Sequence, residues 1–180
     1  MAIMAGRMGA NISIRRGPTE IGEALDAIRR IVQALRETSR AAERHVGLSS
    51  SQVFVLRTLA NRAALSLNDL AGATHTHQSS VSAVVARLVD AGLVRRARSP
   101  EDARRLELSL TARGREVAIK APDAAQHRLI AALDRLPVER RRDLAATLTE
   151  LAGSIAAVDR VPPMLFEDAK PLGRRRVLRA

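Results

Sequence analysis

The chain has 180 residues, 46% of them hydrophobic, yet its only aromatic side chains among Phe, Trp and Tyr are Phe54 and Phe166. A core must come from Leu, Val, Ile and Ala, a composition that suits helices packed on helices. Thirty Lys and Arg against 19 Asp and Glu give a formal charge of +11, nearly all of it arginine, which favours a polyanionic partner. The absence of cysteine excludes disulfides, thiolate nucleophiles and Cys-rich metal sites. With no apolar run of bilayer length and no signal-peptide core before Pro18, a cytoplasmic protein with no membrane partner is expected.

Residues 1–18 read as a flexible basic arm carrying Arg7, Arg15 and Arg16. From Thr19, Ile21, Ala24, Leu25, Ile28, Ile31, Val32 and Leu35 recur at helical spacing, predicting a long amphipathic helix that stops at Gly47. Ser49 and Gln52 form a capping-box pattern before a second helix that ends near Asn61. Ser66 and Asp69 repeat the pattern before a short third helix, with Gly72 as its expected end. After a polar turn, a fourth helix is predicted from about Gln78 to Ala91. It buries Val81, Val84, Val85, Leu88 and Val89 and turns Ser79, Ser82, Ala83 and Arg87 outward.

Gly92 suits a left-handed helix end. Leu93 and Val94 then lead into an Arg-rich turn, and Leu106, Leu108 and Leu110 alternate with Glu107 and Ser109 at the period of a half-buried strand. The two segments make a short hairpin. Thr111 can cap a helix over about 112–133, which Pro122 either kinks or divides. After Pro137, Val138, Leu144, Leu148, Leu151, Ile155 and Val158 follow helical spacing until Pro162 and Pro163. Residues 164–180, with Lys170, Arg174, Arg175, Arg176 and Arg179, read as a basic tail that either adds nonspecific DNA affinity or is a solvated terminus.

Two short helices, a turn and a basic hairpin in succession can engage one duplex, the fourth helix in the major groove and the hairpin beside it. The fold class is therefore predominantly α: a winged helix-turn-helix with a short antiparallel β-hairpin and a helical dimerisation layer. The organisation is a 1–18 arm, a 19–47 dimerisation helix, a 48–114 DNA-binding lobe, 115–163 dimerisation helices and a 164–180 tail.

Across 48–114 the sequence resembles the MarR family of dimeric winged helix-turn-helix regulators. The resemblance is carried by Leu67 to Ala71, by Ser80, Val81 and Ser82, and by Arg87, Leu88, Gly92, Leu93 and Val94. Its strongest part is Arg96 through Gly114, with Asp102, Arg104 and Arg105 before Leu106, Leu108, Leu110, Thr111 and Gly114. The resemblance implies that Arg104 enters the minor groove and that Asp102 orients the wing arginines by ion pairing. Arg105 supports the wing or touches phosphate. Within the motif, Gln78 is a candidate for paired contacts to adenine, Ser79, Ser80 and Ser82 for base or phosphate contacts, and Arg87 for a backbone contact. Arg95, Arg96 and Arg98 are candidates for a phosphate-facing track. Taken alone, the serines are surface hydroxyls or helix-start residues, and each arginine can equally be solvated. Ala83 stands where the family often has a longer polar or basic residue, and His75 and His77 replace more usual turn residues.

The resemblance implies a sequence-specific, double-stranded DNA-binding transcriptional regulator acting as a homodimer on an approximately palindromic operator. A repressor released by a lipophilic or weakly acidic small-molecule effector is expected, with no cofactor. His75 and His77 define no metal site, since no compact pattern supplies further ligands. No phosphate loop and no motif-bearing Ser-His-Asp order supports an enzyme. The competing reading is a helical interaction protein whose positive face binds an acidic protein or membrane surface, which leaves the wing unexplained.

Overall fold

The computed structural model describes residues 19–62, 64–99, 104–155 and 161–166. The chain divides into two units, Met1–Gln33 and Ala34–Ala180. Helix α1 (Glu20–Val46) begins in the first unit, where Ile21, Leu25, Ile28 and Ile31 form an exposed apolar row. Arg7, Arg15 and Arg16 lie outside the described residues.

In the second unit α1 contributes buried Leu35, Ser39 and Ala42 and stops at Gly47, whose φ of +69° is the left-handed conformation expected there. α2 (Ser50–Ala60) starts with the anticipated capping box: Ser49 accepts from the Gln52 N–H, and the Gln52 side chain accepts from the Ser49 N–H. It is the central helix, buried from Ser50 to Leu59 except at Arg57. α3 (Leu67–Ala73), α4 (Gln78–Asp90), α5 (Ala112–Lys120) and strand β2 (Leu106–Leu110) all pack against it. Val53, Val55, Leu56, Leu70, Val81, Val84, Val85 and Leu88 are almost wholly buried. Each such side chain stabilises the lobe by roughly 1.5–3 kcal/mol, so α4 sits on a well-packed platform.

The end of α3 differs from expectation. The helix runs through Gly72 to Ala73, and the Thr74 hydroxyl satisfies the carbonyls of Leu70 and Ala71 at 2.8 and 3.2 Å. The left-handed position of the turn falls instead on His75, with φ +49°. A side chain there costs about 1 kcal/mol, so the surrounding packing holds the turn.

Pro122 divides the predicted long segment into α5 and α6 (Ala125–Asp134). Ala121 before it is extended, as a residue preceding proline must be, and Arg57 Nη1 donates to the Ala121 carbonyl at 2.6 Å. α7 (Val138–Ile155) follows Pro137 and buries none of its own residues. Val158 and the basic residues from Lys170 onward lie outside the described residues. Met164, which the sequence assigns to a tail, is a buried member of the core.

Candidate nucleic-acid interface

At most seven residues separate consecutive elements of the candidate interface along the chain, but three-dimensional ties set their angles. α4 buries Ser80, Val81, Val84, Val85 and Leu88 and leaves Gln78, Ser79 and Ala83 exposed, with Ser82 and Arg87 half-buried. Gly92, at φ +68°, turns the chain out of α4 and into β1 (Val94–Arg98). Thr111 fastens the far end of the hairpin: its hydroxyl donates to the Gly92 carbonyl at 2.8 Å and accepts from the Gly114 N–H at 3.0 Å. β1 and β2 pair antiparallel, with Val94 opposite Leu110, Arg96 opposite Leu108 and Arg98 opposite Leu106.

That register divides the three arginines of the expected track between two faces of the hairpin. Side chains alternate along a strand, so Arg96 and Arg98 share one face while Arg95 lies on the other, where its Nε donates to Ser109 Oγ at 2.9 Å. Arg96, Arg98 and Arg104 are exposed. Asp102 lies outside the described residues.

Arg105 is tied to α3 by a partner that sequence reading missed. Its Nη2 pairs with Asp69 Oδ2 of α3, and the same carboxylate oxygen accepts from the Ser66 hydroxyl at 2.7 Å and the Ser66 N–H at 3.2 Å. These Ser66 hydrogen bonds hold the Asp69 carboxyl below its ordinary value; burial opposes them, and the hydrogen bond and charge of Arg105 add lesser lowering contributions. Leu65 adds two backbone hydrogen bonds to Leu108 at 2.8 and 3.2 Å, so the segment before α3 is fastened to the hairpin as well. The acid of a capping box was the visible signal, although the box alone names no distant partner.

Ser80 is also placed differently from expectation. It is 7% exposed and its hydroxyl donates to the Pro162 carbonyl at 2.9 Å, so it is turned inward rather than presented with Gln78 and Ser79. α2, α3 and α5 are capped by Ser49, Ser66 and Thr111, whereas His77 supplies no side-chain cap to α4. The first-turn amides of α4 therefore remain suited to phosphate.

An open cavity of about 310 Å³ lies where the turn between α3 and α4 meets α6 and α7. Ile130, Leu133, Leu144 and Leu148 wall it, and His75, Asp134 and Arg141 supply its polar groups. Arg141 Nη1 bonds Asp134 at 3.2 Å, while its buried Nε has no acceptor among the described residues. Among the described residues no group of three or more His, Cys, Asp or Glu side chains could hold a metal, and no helix is long and apolar enough to cross a membrane.

A family model described as the MarR family matches residues 48–106. The chain is 31% identical over 122 residues to the HTH-type transcriptional repressor Mb2911 of Mycobacterium bovis, an alignment covering 68% of this chain and 88% of that protein. It is 34% identical over 117 residues to the HTH-type transcriptional regulator MT0903.1 of Mycobacterium tuberculosis, covering 64% and 78% respectively. Among solved structures, Sco3205, a MarR family transcriptional regulator from Streptomyces coelicolor crystallised in complex with DNA, superposes with a TM-score of 0.52 at 26% identity, covering 82% of this chain and 99% of that one. A MepR-like protein shares the fold at a TM-score of 0.50 and 23% identity, over 76% of this chain and 96% of that one.

Proposed function

This chain belongs to the MarR family of DNA-binding transcriptional regulators, and from that premise we propose that it reads an approximately palindromic operator as a homodimer and represses until a small effector releases it. The observation that carries this reading is the presentation of Gln78 and Ser79 at the uncapped start of α4, on a well-packed core and beside a hairpin bearing Arg96, Arg98 and Arg104. Gln78 has the donor and acceptor pair that adenine offers in the major groove, while the hairpin arginines suit phosphate and the minor groove. Its likeness to a regulator solved with DNA supports the same use of the lobe. Unbiased selection of genomic duplexes followed by footprinting tests it. Paired half-sites whose centres lie about 34 to 36 Å apart, or a multiple of that, are expected; no preference for any duplex over acidic protein or anionic vesicles at near-physiological salt would defeat it.

The homodimer is supported by apolar rows left in water. Ile21, Leu25, Ile28 and Ile31 of α1, and separately Leu148, Leu151 and Ile155 of α7, are exposed at helical spacing. Burying each Leu or Ile against a second copy gains roughly 1.5–3 kcal/mol, and two-fold symmetry sets two reading helices toward successive turns of the duplex. Sedimentation as a monomer under DNA-binding conditions would refute the assembly.

The cavity between the α3–α4 turn and α6–α7 is the candidate effector site. Its apolar walls suit a lipophilic body, and Arg141 offers a carboxylate or phenolate the position now shared with Asp134. His75 lies in its wall two residues before His77, the N-cap of α4, so an occupant bears on the turn that aims the reading helix. Release requires tighter binding to the DNA-incompetent arrangement than to the competent one. A calorimetric screen of lipophilic weak acids, repeated on Arg141→Ala, tests the site; a ligand bound equally by both proteins would remove it.

A further inference from the structure

Residues 161–166 form a strap that joins the first turns of two helices. Met164, 4% exposed, is buried in the core. On one side of it the Pro162 carbonyl accepts from Ser80 Oγ of α4 at 2.9 Å, and on the other the Leu165 carbonyl accepts from Gln126 Nε2 of α6 at 3.1 Å. Ser80 and Gln126 are themselves buried, so neither bond is open to competition from bulk water. The strap is also stiff at the end that meets α4. The rings of Pro162 and Pro163 fix φ at both positions, and a residue before proline is confined to extended backbone, so the direction of the Pro162 carbonyl is set before it meets Ser80.

The first turn of α4 is where such a tie has the most effect. Val81, Val84, Val85 and Leu88 seat the helix on the core, but Gln78 and Ser79 stand at its start, where His77 supplies no side-chain cap. A capping side chain would hold that turn by taking up its free amides; the Ser80 bond to Pro162 holds it through an inward side chain and leaves the amides for phosphate. We propose that residues 161–166 are a brace that fixes the first turn of α4 against α6, with Ser80 and Gln126 as positioning residues for base reading rather than contacts to DNA. The inference rests on the DNA-binding reading above and adds to it the device that aims the reading helix. Base recognition depends on that aim more than backbone contact does, because paired hydrogen bonds to one base edge need a fixed geometry, whereas phosphate contacts carry no sequence information.

The test compares the full chain with Ser80→Ala, Gln126→Leu, the double variant and Pro163→Gly. Ser80→Ala removes one donor and keeps a good helix former, and Gln126→Leu replaces the amide with an apolar side chain of similar size. Each is expected to lower the ratio of affinities for the selected operator over an unrelated duplex about three- to tenfold, the range that one net hydrogen bond covers. A brace released at either end no longer ties α4 to α6, so the double variant should lose no more than the worse single one. The loss should extend to every base position that α4 reads, with the salt slope unchanged because no phosphate contact is removed. Pro163 is exposed, so Pro163→Gly loosens the strap without touching the core; it should lower the same ratio, and it keeps the test decisive should Gln126→Leu fail to fold. Additive losses in the double variant would overturn the brace, as would an unchanged ratio in Ser80→Ala or Pro163→Gly. A Ser80→Ala loss confined to one base position, or accompanied by a shallower salt slope, would make Ser80 a DNA contact and overturn its positioning role. A full chain that prefers no duplex defeats the DNA-binding reading itself, whereas one that selects an operator while its variants fail these tests defeats this inference alone.

Discussion

Arg105, where the turn of the hairpin enters β2, is paired with Asp69 of α3, thirty-six residues earlier in the chain, and Asp69 is at the same time the capping acid that closes the first turn of that helix. One carboxylate therefore fixes both the start of the first motif helix and the attitude of the wing. Both side chains remain substantially open to water, so the tie serves orientation more than stability.

Arg105→Ala and Asp69→Asn are each expected to weaken operator binding while leaving the fold intact. The double variant should lose little more than the worse single variant, because both remove the same tie. Affinity measurements on the four proteins check this, and additive losses would show two independent roles. The pH sense follows from the depressed Asp69 value: the contribution is complete above the ordinary carboxylate range and is lost only as pH falls through the lowered value, so it should not change between pH 6 and 8.

His127 gives the lobe a different pH response. Its ring lies 4.4 Å from that of Phe54, and its Nε2 is 3.4 Å from the Thr58 hydroxyl. Burial lowers its affinity for a proton, Asp123 opposes the shift and Arg57 reinforces it. The unfolded chain then takes up the proton first as pH falls. Stability should be full above the ordinary histidine value near 6.5 and decline below it, down to the depressed folded value. Thermal unfolding at pH 7.5 and pH 5.5 should show this loss in the natural protein and a smaller one in His127→Gln; equal losses in both would place the titrating group elsewhere.

Two glycines should respond in opposite ways to alanine. A Cβ on Gly114 would overlap the backbone carbonyl of Leu93, where α5 begins beneath the strand leaving α4, so Gly114→Ala must shift backbone and should destabilise by about 1–3 kcal/mol or more. Gly72 is exposed within α3 and has open space around it, so Gly72→Ala should stabilise by up to about 1 kcal/mol. Denaturant midpoints decide both, and a neutral Gly114→Ala would mean that the hairpin is looser than this packing requires.

What could be read from the sequence was local. The caps at Ser49, Ser66 and Thr111, the turns at Gly47 and Gly92 and the inward face of α4 follow from residues within a few positions of each other, and all occur as expected. Two of the departures come from contacts across the fold, those at Ser80 and Arg105, and two from local geometry, those at Arg95 and His75. Ser80 is taken up by Pro162, eighty-two residues on, and Arg95 is separated from Arg96 and Arg98 by strand alternation. Arg105 has a partner that no spacing rule connects to it. His75 takes the left-handed position because the α3 helix continues one turn position past the glycine that a pattern-based reading would choose.

The sharpest contrast within the interface is between Arg104 and Gln78. Arg104 is exposed at the wing, where a guanidinium can sense the width and negative potential of a minor groove without reading a particular base. Arg104→Ala should therefore weaken many operator variants together, and the loss should shrink as salt is raised. Gln78 is exposed at the first position of α4, where an amide can donate to and accept from one adenine edge. Gln78→Ala should flatten preference at one symmetry-related base position, at a cost in discrimination of about 1–3 kcal/mol if both hydrogen bonds are made. The measurement is a salt series of affinities for the selected operator, its single-base variants and an unrelated duplex. Unchanged binding by folded Arg104→Ala across that series would remove the wing contact, and unchanged base preference in Gln78→Ala would remove the reading contact while leaving the architecture of the lobe as it stands.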